Sequence, residues 1–283
     1  RGPGGAAAAR VPNPAWEPSL TQEGVTCVAC HLRGGEIVGP RALLEGQAPH
    51  PTRADPAMLG VEACAFCHQQ ALPGAEDTPF LDTVGEWRRS AWGKAGIPCQ
   101  DCHMRRVSGP IAGSRYAAFA SHAGLGGRDP AELRRAVTAL VRLQKVRLER
   151  GDSLRATAEL QNTGAGHALP TGDPSHRVEL RFEVLGADGQ PALGIAPSSN
   201  WLGRRVEPTA PFRQLADDRL QAGSTRSFDF SASLDKKAEP GTFTLVLSLW
   251  WWAVSPEQAE AMGLSPEETS VRFVEQRIPF EVD

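Results

Sequence analysis

Apolar and polar residues alternate along most of the second half of the chain. The stretches LVRLQKVRLE (140–149), SLRATAELQN (153–162), RVELRFEVLG (177–186), TRSFDFSASL (225–234), TFTLVLSLWWW (242–252) and SVRFVEQRIPFEV (270–282) place apolar side chains at every second position or in short runs. That is the pattern of strands with at least one buried face. Turn residues separate them: Gly-Asp at 151–152, Ala-Asp-Gly-Gln at 187–190 and Pro-Gly at 240–241. About seven strands at this spacing predict an antiparallel β-sandwich. DPAELRRAVTAL, just upstream, predicts a linking helix over about 129–140, with Asp129 as N-cap and Pro130 at the first helical position. SPEQAEAMGL predicts a short helix between the last two strands. In the run Trp250-Trp251-Trp252, alternation would put Trp250 and Trp252 on one face and Trp251 on the other, in the core rather than in an electron relay.

The first 127 residues read differently. They are rich in Gly and Pro and carry no long periodic segment, so short helices and loops are expected there. The division predicted is an arm at 1–20, one domain at 21–127 and a second at 128–283, mixed in class. The cysteines sharpen the boundary. All six of the chain lie between Cys27 and Cys102.

Those six fall in three copies of one pattern: CVACH (Cys27, Cys30, His31), CAFCH (Cys64, Cys67, His68) and CQDCH (Cys99, Cys102, His103). C-x-x-C-H is the attachment signature of c-type haem. Two thiols about one helical turn apart can bond the two vinyl groups of one porphyrin, and the next residue brings an imidazole under the iron. Zinc sites need no histidine directly after each second cysteine, and disulfides at this spacing rarely come in threes. Three covalent haem c groups are therefore expected. They also account for the first domain's composition, because roughly 40 residues per haem is too little for an ordinary core and porphyrin faces must supply the apolar surface.

Four of the seven histidines remain. Three irons need three distal ligands, so the arithmetic expects bis-histidine ligation with one histidine idle. His50 (GQAPHPT), His122 (FASHAGLGG) and His167 (NTGAGHALPTG) lie in loops and are the expected metal ligands, with His31, His68 and His103. His176 opens a strand and is expected to be a surface residue. Methionine is the competing ligand, but Met104 follows His103 directly, Met58 sits in a small apolar patch and Met262 lies far away in a helix.

The stretch EWRRSAWGKAGIPCQDCHM (86–104) and the loop GHALPTG (166–172), followed by a VEL strand and a DG turn, resemble multihaem c-type cytochromes. That broad group includes tetrahaem electron carriers, nitrite reductase and hydroxylamine oxidoreductase. The resemblance implies that the loop histidine, here His167, is a haem ligand joining the two domains or two subunits. It does not extend to the catalytic centres. There is no C-x-x-C-K, and the only tyrosine, Tyr116, lies outside any matching motif. Where members often carry a histidine a few residues after the Ser, this chain has Trp92.

The expected function is thus electron transfer by a carrier rather than an enzyme. Two alternatives remain: a subunit of an extracellular haem filament or a larger membrane-associated redox complex, and a haem enzyme with one open coordination site. Expected partners are redox proteins and, in the filament or complex alternative, neighbouring subunits. The net charge of −3 and a charged fraction of 22% exclude a polybasic nucleic-acid surface, and the longest apolar run is too short for a transmembrane helix. The chain opens at Arg1 with no charged-then-apolar leader, so a removed export signal and a periplasmic or extracellular bacterial location are expected.

Overall fold

The structure, a computed structural model, describes residues 24–43, 46, 48–72, 75–111, 115–192, 194–207 and 213–283. The proposed arm at 1–20 lies outside the described residues. Residues 24–127 form short helices and small sheets. They run α1 (Cys27–His31), β1 (Leu32–Arg33), β2 (Glu36–Gly39), β3 (Thr52–Ala54), a 3-10 turn at Pro56–Leu59, α2 (Glu62–His68), β4 (Gln69–Leu72), β5 (Ala75–Asp82), α3 (Thr83–Arg89), α4 (Ala91–Lys94), α5 (Cys99–His103), β6 (Arg106–Ile111) and β7 (Arg115–Ala120). Helices and loops alone were expected here. The chain adds the sheet β1-β2-β3 and the hairpins β4-β5 and β6-β7. Their segments are short and lack strict alternation, so nothing in the pattern announced them.

Then come α6 (Pro130–Ala136), β8 (Val137–Leu143), β9 (Arg147–Leu148), β10 (Ser153–Asn162), β11 (Arg177–Leu185), β12 (Ser198–Val206), β13 (Gln214–Asp217), β14 (Thr225–Ser233), β15 (Gly241–Trp252), α7 (Pro256–Ala261), α8 (Pro266–Thr269) and β16 (Ser270–Val282). α6 starts where its caps dictate. The Asp129 side chain accepts from Glu132 N at 2.7 Å and Pro130 needs no donor. It ends at Ala136, four residues short of the expected 140, because β-branched Val137 and its successors join a sheet.

Two sheets share one core. One is β14-β10-β8 and the other β13-β12-β11-β15-β16-β9. β10 alternates without exception between exposed and buried, sending Leu154, Ala156, Ala158 and Leu160 inward. They meet Leu180, Phe182, Leu245, Leu247, Leu249 and Phe273 of the other sheet. The pairings are antiparallel except for short β9, which runs parallel to β16. β12 and β13 escaped the pattern reading, since SSNWLGRRV and QLAD carry few apolar residues.

Alternation holds at the tryptophans: Trp251 joins the core, and Trp252 lies on the other face beside Trp201. The β15–β16 register shifts between Leu249 and Trp250, and Trp251 and Trp252 are both buried. The extra residue of this bulge is Phe273 of β16, so β15 keeps its alternation and buries the two tryptophans on opposite faces. Trp252 donates to Glu179 and Trp251 packs on His176.

Candidate functional site

Each C-x-x-C-H segment folds as, or at the end of, a short helix that stops at its histidine: α1, α2 and α5. One turn therefore carries two thiols and an imidazole on one side. All six thiols are free, and four (Cys27, Cys30, Cys67 and Cys102) are exposed. Among the described residues no cluster of three or more His, Cys, Asp or Glu could hold a bare metal ion.

Two non-motif histidines stand face to face with motif histidines. His31 and His122 have ring centres 6.0 Å apart, and His103 and His167 have centres 6.1 Å apart with planes only 16° from parallel. Two imidazoles sharing one metal, each nitrogen about 2 Å from it and about 1 Å from its own ring centre, are separated by about 6 Å. The residues fit a bis-imidazole iron. In all four rings Nδ1 lies 2.7–3.0 Å from a backbone carbonyl: Val38 for His31, Leu125 for His103, Ala120 for His122 and Ala168 for His167. A carbonyl only accepts, so Nδ1 carries the proton and Nε2 keeps its lone pair for a metal.

The other histidines are placed differently. Among the described residues neither His50 nor His68 stacks on a second imidazole. His50 is exposed on the 48–51 turn, with Nδ1 a long 3.4 Å from Pro51 O. His68 is exposed at the end of α2, although partial burial of its ring, then the nearby His103, lowers its pKa. His176 was expected at the surface. It is instead half-buried, its Nδ1 2.8 Å from Thr171 O and its ring 5.1 Å from Trp251. The residue precedes β11, so sheet alternation does not fix its direction, and its ring turns onto Trp251.

The second and third motifs are neighbours. The thiols of Cys64 and Cys99 lie close enough to interact, which raises the Cys64 pKa and lowers that of Cys99 to about 7. Gln100 ties them together further by donating to Met58 O at 3.1 Å and Gly60 O at 2.7 Å.

The loop holding His167 is fastened on both sides. Asn162, at the end of β10, donates to His167 O (2.8 Å) and Leu220 O (3.1 Å) and accepts from Ala165 N (3.1 Å). From α3, the buried carboxylate of Glu86 accepts from Ala168 N at 3.1 Å and Thr171 Oγ1 at 2.6 Å, and pairs with Arg219. Thr83 Oγ1 adds a bond to Thr171 Oγ1 at 2.9 Å. Close approach explains two glycines. A Cβ at Gly164 would lie 1.9 Å from Arg135 O, and one at Gly166 would lie 3.2 Å from Trp87 and Trp92. Burial holds His167 below the usual histidine pKa, with the Ala168 carbonyl and Glu86 acting in the opposite direction. On the opposite side of the pair, a Cβ at Gly127 would lie 2.4 Å from Trp251. The Gly-rich turn that presents Leu125 O to His103 is thus seated on that tryptophan.

Glu86, Asn162 and Trp251 were missed as positioning residues. Glu86 was within reach, since it opens the EWRRSAW stretch. Its burial beside a loop more than eighty residues away was not.

Large apolar side chains are left uncovered around the motifs. Val25, Val28, Leu32, Leu59, Phe66 and Ile97 are exposed, Phe66 by 80%. Exposed apolar surface on this scale, flanking paired imidazoles and free thiols, matches the faces a porphyrin would cover.

No family model matches the chain, and no curated protein does. Among solved structures, the chain is similar to a penta-haem cytochrome c552 from Thermochromatium tepidum. The TM-score is 0.61 at 22% identity, over 84% of this chain and 61% of that one. The C-terminal domain of wzt (TM-score 0.30, 10% identity, 52% of this chain and 74% of that one) is far less similar. So is the CARDB domain of the PF1109 protein from Pyrococcus furiosus (0.26, 9%, 52% and 87%). Neither carries weight. The chain has a multihaem-cytochrome-like fold and spans less than two thirds of the cytochrome it resembles.

Proposed function

We propose that the chain is an exported electron-transfer protein with three covalent c-type haems, attached at Cys27/Cys30, Cys64/Cys67 and Cys99/Cys102. The observation that carries this is the pair of facing imidazoles, His31 with His122 and His103 with His167, each joining a motif histidine to a distant one. Haem supplies a reversible one-electron iron couple. The chain's residues do the rest. Cysteines tether, backbone carbonyls fix the imidazole tautomers, and Glu86 with Asn162 holds the His167 loop in place. Ligation by two imidazoles without methionine gives lower potentials than His/Met ligation. The Cys64–Cys99 contact brings two attachment sites together, which favours electron passage between them. Attachment of c-type haem outside the cytoplasm is the reason for proposing export. Among the described residues no helix is long and apolar enough to cross a membrane.

His50 is the remaining proposed ligand, for the His68 iron. A second reading is favoured by one observation: His68 faces no second imidazole among the described residues. This supports the enzyme alternative, with an exchangeable sixth position at that iron. Electron paramagnetic resonance of the oxidised protein and carbon monoxide addition to the reduced protein decide between them. Three low-spin signals and no carbon monoxide binding are expected of the carrier. One high-spin signal with carbon monoxide bound at one iron in three identifies the second reading. The absence of any low-spin haem signal would remove both.

A further inference from the structure

Charge is spread unevenly along the chain. Between Asp101 and Asp129 there are four arginines (Arg105, Arg106, Arg115 and Arg128) and no carboxylate. Between Lys237 and Arg272 there are five glutamates and no lysine or arginine. Like charges grouped in this way attract a surface of the opposite sign.

The basic stretch contains the β6-β7 hairpin. Its strands form a sheet of their own, along which no other described helix or strand packs extensively. The register puts Arg106, Ser108 and Pro110 on one face with Tyr116 and Ala118. All five are exposed, Tyr116 by 73%. Arg105 is occupied by Glu132. Arg106 donates at 3.0 Å to Ala118 O, a carbonyl of its own hairpin. Among the described residues no carboxylate comes within 4 Å of Arg106 or of the exposed Arg128. A two-stranded ribbon is only marginally stable by itself, so covering its open face adds stability. The acidic stretch contains α7 and α8, each opened by a capping box from Ser255 or Ser265. Glu257, Glu260, Glu267 and Glu268 are exposed there, and among the described residues none of them pairs with a cation. Met262, between the two helices, is 63% exposed.

We propose that the open face of the β6-β7 hairpin docks on the α7-α8 segment of a second copy of this chain. Arginines of one copy meet glutamates of the other, and Tyr116 packs on Met262 in a thioether–aromatic contact. The occupant is a second copy because the two stretches match in charge and each offers a large exposed apolar side chain to the other. His122 follows two residues after β7, so the contact lies on the strand that leads to the His31–His122 pair. Only that consequence, electron passage between copies, rests on the function proposed above.

The test is sedimentation velocity of the purified holoprotein over a range of concentrations, at about 0.1 M and about 1 M salt, where the screening length falls from about 10 Å to about 3 Å. Concentration-dependent self-association that weakens at the higher salt is expected. Arg106→Glu and Glu260→Lys should each weaken it about tenfold or more, since each sets like charges against one another. Mixed in equal amounts, the two variants should associate again, because each keeps the surface the other has lost. Unchanged visible spectra show that both variants keep their fold, and either one alone suffices if the other does not. A protein that stays monomeric at every concentration overturns the proposal and leaves the hairpin to an acidic partner of different sequence. Association that ignores both salt and the two variants also overturns it, as does a mixture no tighter than either variant alone.

Discussion

At the scale of single residues, the account assigns different work to His167 and His176, only nine positions apart. Both rings have Nδ1 bound to a carbonyl, but His167 faces His103 and His176 faces Trp251. His167→Ala is expected to convert one low-spin haem to a high-spin or water-bound state, read in the visible and paramagnetic resonance spectra. His176→Ala should leave the spectra unchanged. The reverse result would mean the wrong histidine has been chosen. Acid tests the burial of the His103–His167 pair. Burial, in the first place, depresses the His167 pKa from 6.5. A base with a depressed pKa stays neutral, and able to bind iron, to lower pH. Its stabilising effect is intact above pH 6.5 and is lost as pH falls below that toward the folded value. Following the low-spin signal of His122→Ala against pH tests this: the surviving His103–His167 pair should persist below pH 6.5.

At the scale of elements, strict periodicity decided what could be read in advance. β10, β11, β14, β15 and β16 were legible because one face meets the core and every second residue is apolar. β12 was not, because the buried positions of that strand include Gly203 and the charged Arg204. The motif helices were legible from chemistry instead of pattern, since C-x-x-C-H requires one helical turn whatever surrounds it. The loop at 162–172 was recognisable as a turn, but the contacts that hold it were not. They come from α3, α6 and the turn after β13, all distant in sequence. Gly164 tests whether that loop must sit where it does. Its N–H and that of Thr163 both donate to Ala136 O at 3.1 Å, and there is no room for a methyl against Arg135 O. Gly164→Ala should cost about 1–3 kcal/mol, as overpacking typically does, measured by denaturant unfolding. It should also perturb only the haem signal that His167→Ala removes. A change in the other signals instead would show that the loop does not serve that iron.

For the whole molecule, the mixed class and the multihaem-cytochrome-like fold followed from two kinds of signal that never overlap along the chain. Thiol-imidazole motifs end at His103, and regular strand alternation begins after Ala136. Which distant histidine meets which motif could not be read, because pairing depends on how the two halves pack and not on spacing. The structure brings together two of the three expected pairs and leaves His50 apart from His68. The apolar side chains exposed around the motifs fit the haems proposed above, and haem count is therefore the claim on which the rest depends. Intact mass of the purified protein under denaturing conditions tests it most directly. The account predicts the polypeptide mass plus three haems, with the pigment retained after acid-acetone extraction. A mass equal to the bare polypeptide, or pigment lost on extraction, would contradict it.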